Sequence, residues 1–111
     1  MKPTPAGWPR IAAGLYYRDA AAMIDWLCRA FGFSVKLKVV DDAGQIKHSE
    51  LLLADGLVMV GQAQGGARRR FDTDLLSPLD AGGNTQNLMV YVDDVDAHCA
   101  QARQAGARIV A

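Results

Sequence analysis

The sequence predicts an α+β domain: a βαβββ module followed by the start of a second βα unit. Two observations carry that prediction. The first is a repeat. Residues 11–33 and 87–111 each read as an apolar strand, an Asp, a helix and a Gly, with 13 residues from Asp to Gly in both copies (Asp19 to Gly32, Asp93 to Gly106). The second is a pair of turn signals between the copies, at Asp41–Gly44 and Ala54–Gly56. They cut the intervening chain into three strand-length apolar runs. At 111 residues the chain is one domain, long enough to bury a core of its own.

Taken in order, residues 1–10 hold three prolines and read as an extended arm. Residues 11–17 alternate as a strand. Asp19 suits an N-cap, because its carboxylate can accept from the open N–H groups of a first helical turn. Met23, Ile24, Leu27 and Phe31 recur at helical spacing and should face a sheet. Gly32 then ends the helix in a left-handed cap. Phe33–Val40, Ile46–Leu53 and Leu57–Gln62 are the next three strands, which completes βαβββ over 11–62. Residues 63–86 show no clear period and read as a long mobile or functional loop. Asn87–Val92 is a fifth strand, and Asp93 or Asp94 caps a second helix whose buried stripe is Val95, Cys99 and Ala102. Residues 107–111 look like the first half of a sixth strand.

The formal net charge is zero, 50% of residues are hydrophobic and 22% are charged. Phosphate binding usually needs a basic excess, so nucleic acid is not expected as a partner. The run Arg68–Arg69–Arg70 reads as a solvated loop rather than an anion site. Cys28 and Cys99 fall in helices and form no CxxC, so they read as reduced, small core residues. No apolar stretch approaches the roughly 18 residues of a membrane span. The amino-terminal segment lacks a signal-peptide core, and cytoplasm is the expected location.

Three segments carry a family resemblance: YYRDAAAMIDWLCRAFGF, HSELLLADGLVMVG and NLMVYVDDVDAHCAQARQAGARI. In order and spacing the chain resembles the vicinal oxygen chelate superfamily. That group covers glyoxalase, bleomycin-resistance and extradiol dioxygenase proteins. The HSEL and VDDVDAH segments look most like its PhnB-like branch. The resemblance implies a second βαβββ module that begins at 87 and is truncated, with about three strands absent. It also implies metal ligands on the first, fourth, fifth and last strands. These positions fall on Ala12, near Met59, on Asn87 and beyond Ala111. A methyl group, a thioether and a neutral amide are poor ligands for the metals of that family. No metal and no cofactor are therefore expected.

Strand parity then assigns side chains to faces. The concave face receives Ala12, Gly14 and Tyr16, then His48, Glu50 and Leu52, then Leu57, Met59 and Gly61, then Asn87, Met89 and Tyr91. Such a face is apolar with a few polar groups, which suits an aromatic or amphipathic small molecule. Tyr16, His48, Glu50, Met59, Asn87 and Tyr91 are the candidate ligand-binding residues. His48 and Glu50 read two ways: as an acid/base or ligand-bonding pair, and as partners of each other. Trp26 reads as core, His98 as solvent-exposed, and Trp8 as a clamp on a neighbouring subunit. The expected function is metal-free binding of an apolar or aromatic small molecule in a concave groove, by a homodimer. The alternative is a lyase, isomerase or dioxygenase with an atypical metal site on His48 and Glu50. A third reading is that the chain is a fragment whose site needs further strands.

Overall fold

A computed structural model describes residues 1–65 and 72–110. Strand β1 (Ala13–Tyr17) leads through Arg18 and Asp19 into helix α1 (Ala20–Phe31). The Asp19 carboxylate accepts from the Ala22 N–H at 3.1 Å, closing the first turn. Gly32 ends the helix at φ 82° and donates to the Cys28 carbonyl at 3.1 Å. A side chain would strain that left-handed position. Ala20, Ile24, Leu27 and Ala30 make the buried stripe of α1.

Strands β2 (Ser34–Val40), β3 (Ile46–Leu53) and β4 (Gly56–Gln62) complete a four-stranded sheet of order β1-β4-β3-β2. β1 runs parallel to β4, and the other pairs are antiparallel. The β2–β3 turn is held by Asp41, whose side chain accepts from Ala43 and Gln45 N–H groups, both at 2.9 Å. Ile24, Leu27, Leu51, Val58 and Val60 meet between α1 and the sheet. Each such side chain contributes about 1.5–3 kcal/mol by leaving water. Ser49, fully buried among them, donates to the Val60 carbonyl at 2.6 Å and accepts from its N–H at 3.2 Å. Its hydroxyl thus bridges β3 and β4 one rung past the Glu50–Met59 pair.

Two irregularities reset the alternation. β2 carries an extra residue, Lys36, between Val35 and Leu37, and β3 carries an extra residue, Lys47, between Ile46 and His48. An extra residue reverses the facing of the rest of its strand. Ile46 therefore joins the core under α1, while His48 and Glu50 turn to the other face.

Past β4 the chain behaves differently. Gln64 and Leu75 exchange backbone hydrogen bonds of 2.8 and 2.7 Å. A short helix, α2 (Pro78–Ala81), comes next, inside the segment expected as loop. Arg18 Nε donates to Asp80 at 2.8 Å, tying α2 to the end of β1. The Arg18 guanidinium and the Ser77 hydroxyl hold the Asp80 carboxyl below its usual range. Helix α3 (Val95–Gln104) is capped by Asp94, which accepts from Ala97 N–H at 2.9 Å.

Several expectations for this half are not met. Residues 87–92 and 107–110 form no strand. Strand geometry needs a neighbour for its N–H and C=O groups, and residues 84–90 stand across a cavity from β1 rather than against it. Among the described residues helix α3 covers no sheet, and it leans on α1, where Gln101 donates to the Arg29 carbonyl at 2.8 Å. Val95, expected buried, is 68% exposed, whereas Ala102 is 3% exposed and Cys99 half-buried. His98, expected in solvent, is half-buried: its ring stacks on Phe31 with centroids 5.5 Å apart, and Nε2 donates to the Phe31 carbonyl at 3.2 Å. Trp26 closes the same contact by donating to the Ala105 carbonyl at 2.6 Å. In the amino-terminal arm, Trp8 lies against Lys36, whose Nζ is 4.8 Å from the ring centre. The Arg68–Arg70 loop lies outside the described residues. Both cysteines are free thiols, and burial pushes that of Cys28 up.

Candidate ligand-binding site

Tyr16 lies on the edge strand β1, on the face opposite α1. It pairs in register with Gly61, and Gly14 precedes it on the same face. The Tyr16 ring lies over both glycines. A Cβ at position 61 would sit 3.2 Å from a ring carbon, and one at position 14 would sit 3.6 Å from the phenol oxygen. The glycines therefore let an aromatic ring rest on the strands. This is a close-approach use of Gly that sequence alone marks only as a gap in the pattern.

His48 and Glu50 stand on β3 beside it. Their side chains meet at 2.7 Å, with His48 Nε2 donating to Oε2 of the carboxylate. The Lys36 ammonium, brought in by the β2 bulge, lies 3.5 Å from Oε1. It also reaches the Gly7 carbonyl at 3.5 Å. The His48 hydrogen bond holds the Glu50 carboxyl below the usual glutamate range, with help from the Lys36 charge and against burial. Glu50 is thus a carboxylate satisfied within the chain, at the hub of a link from the amino-terminal arm to the sheet.

Two cavities share Tyr16 and Leu75 as walls. The smaller, about 270 Å³, is lined by His48, Met59, Gly61 and Gln64 among others. The larger, about 680 Å³, opens beyond β1. Leu27, Phe31, Phe33, Leu76, Leu88 and Val90 give it apolar walls. Asn84, Thr85, Gln86, Asn87 and His98 supply polar atoms. Tyr17 also borders it, and burial raises its phenol pKa.

The candidate residues are therefore divided. Tyr16 borders both cavities, His48 and Met59 border the smaller, and Asn87 borders the larger. Glu50 lies behind His48 and lines neither. Tyr91 is 88% exposed and lines neither. Sequence reasoning did not propose Phe33, Leu75 or His98 as site residues. Phe31 and Phe33 flank the helix-ending Gly32, and that spacing is the one available hint that the chain turns an aromatic pair toward a common space.

Fold and site together define a small α+β protein with a mostly apolar pocket beside a βαβββ sheet. The chain belongs to the Glyoxalase/Bleomycin resistance protein/Dioxygenase superfamily, whose family model matches residues 9–111. It is similar to TioX from Micromonospora sp. ML1, known from a crystal structure. The two are 30% identical with a TM-score of 0.68, over 92% of this chain and 76% of that one. No curated protein matches the chain.

The positions where the sequence resemblance implies metal ligands hold Ala12, Met59 and Asn87, and Asn87 lies on no strand. Among the described residues no three His, Cys, Asp or Glu side chains are grouped to hold an ion. His48 and Glu50 provide two donors already engaged with each other. Among the described residues no helix is long and apolar enough to cross a membrane.

Proposed function

We propose that the protein binds an apolar or aromatic small molecule without a metal, and that the larger cavity is the principal site. The observation that carries this reading is the cavity itself. Its volume of about 680 Å³ falls within the roughly 300–1,000 Å³ of small-molecule sites. Its walls join aromatic and aliphatic side chains to a few amides and one imidazole, the mixture that gives affinity by desolvation and orientation by hydrogen bonds. Tyr16 extends the surface into the smaller cavity, so His48 and Met59 form an annex for part of a long ligand. Binding then sequesters or carries the molecule.

Equilibrium dialysis against a panel of aromatic antibiotics and metabolites tests the reading. We expect at least one micromolar ligand whose affinity falls on Tyr16→Ala. A panel with nothing tighter than millimolar overturns it. Elemental analysis of protein purified without chelator addresses the metal-dependent alternative: stoichiometric metal lost on His48→Ala would replace our reading with that one. The HSEL and VDDVDAH segments support the PhnB-like branch. Exposed Leu88, Met89 and Val90 beside the open edge of β1 support a homodimer, to be checked by light scattering.

A further inference from the structure

We infer that His98 selects the ligand: the larger cavity takes an aromatic that carries a hydrogen-bond donor, and His98 Nδ1 accepts from it. The inference rests on the cavity reading above and deepens it. Three observations carry it. His98 lines the cavity. Its Nε2 is engaged with the Phe31 carbonyl at 3.2 Å. A carbonyl oxygen can only accept, so Nε2 carries the hydrogen and the neutral ring keeps Nδ1 as an acceptor. Nδ1 has no hydrogen-bond partner among the described residues.

The ring cannot turn easily to hide that nitrogen. It lies nearly parallel to Phe31, at 9° and 5.5 Å between centroids. Phe31 is in turn braced edge-on by Trp26 at 5.2 Å and 85°. Flipping the imidazole would replace the Nε2–H donor with a carbon and lose the bond to the Phe31 carbonyl, and the other neutral tautomer would set a lone pair against it. The acceptor is therefore preorganised, and a donor on the ligand meets it without a cost in side-chain ordering. The surrounding Leu27, Phe31 and Phe33 accommodate the ring of the same molecule. An ether or a hydrocarbon of equal shape fits the walls but leaves Nδ1 unpaired in a partly dry site, the asymmetry by which polar sites reject analogues.

Paired fluorescence titrations with 2-naphthol and 2-methoxynaphthalene test this on the whole chain. We expect both to bind and 2-naphthol to bind about 3- to 10-fold more tightly, the worth of one neutral hydrogen bond. His98→Phe keeps an aromatic ring on Phe31 and removes the acceptor, so it should erase that ratio while retaining the ether. Because this variant also loses the bond to the Phe31 carbonyl, a second readout uses the unaltered protein. In ¹⁵N spectra the unprotonated His98 nitrogen should move to lower frequency with 2-naphthol and stay put with the ether. Equal affinities, or an unmoved nitrogen with 2-naphthol bound, overturn the assignment of His98 and leave the cavity reading intact. If neither compound binds below millimolar while other panel members do, the donor-selection inference fails alone. If nothing in the panel binds, both fail.

Discussion

The two copies of the strand–Asp–helix–Gly pattern have different fates. In the first, the strand is hydrogen-bonded to β4 and the helix covers a sheet. In the second, residues 87–92 form no strand, and the helix rests on another helix. Of the buried hydrophobic residues among those described, all but Ala102 lie between Ala20 and Val60. The second copy leaves Leu88, Met89, Tyr91, Val95 and Ile109 exposed. Similar local patterns therefore give a helix in both places, because capping and periodicity are local. They give a strand only where a neighbour receives its backbone groups.

The sharpest way to break this contrast is in the core. Leu51→Ala should cost about 2–5 kcal/mol of unfolding free energy, since its side chain is fully buried between α1 and the sheet. Met89→Ala, at 80% exposure, should stay within about 0.5 kcal/mol. Urea denaturation of the two variants measures both, and comparable losses would show that the second copy is packed as the first is.

The two N-caps give the next comparison. Asp19→Ala should lower global stability by about 0.5–2 kcal/mol, because α1 is part of the core. Asp94→Ala removes an equivalent bond from α3. It should mainly speed hydrogen exchange of α3 amides and leave the urea midpoint nearly unchanged. A large midpoint shift for Asp94→Ala would mean that α3 unfolds together with the sheet.

Trp26→Phe tests the link between the halves. It keeps the aromatic contact with Phe31 and removes the hydrogen bond to Ala105, at about 1 kcal/mol. Exchange protection should fall in α3 and hold in β3 and β4. A uniform loss of protection would contradict separable halves.

The smallest expected effect concerns acid. Glu50 has a folded pKa held below its unfolded value, chiefly by His48. Its contribution to stability is therefore present above the ordinary glutamate value and disappears as pH falls through the lowered one. The Glu50 carboxyl should titrate below the usual glutamate range by ¹³C NMR, and His48→Ala should move its midpoint upward. No movement would assign the shift to another cause.

Much of the first module was legible in advance. Asp19, Gly32 and the Asp41–Gly44 turn act locally, and the alternation of β3 and β4 placed Leu51, Val58 and Val60 under α1. Tyr16, His48 and Met59 were assigned together to the concave face, and they meet at one small cavity. The larger cavity was not legible. It lies between residues far apart in sequence, and its size depends on the gap between β1 and residues 84–90. The two bulges were also hidden, since one extra residue per strand leaves the composition unchanged while bringing Lys36 to Glu50.

The sequence by itself determined the caps, the turns and, through Ile24 and Leu27, the core face of α1. These follow from chemistry carried by single residues or by contacts a few positions apart. Tertiary structure alone decided which strand-like segment became a strand, where α3 docked and which nitrogen of His98 is left to accept. Those outcomes depend on a neighbour supplied by a distant part of the chain, and no local pattern specifies its presence.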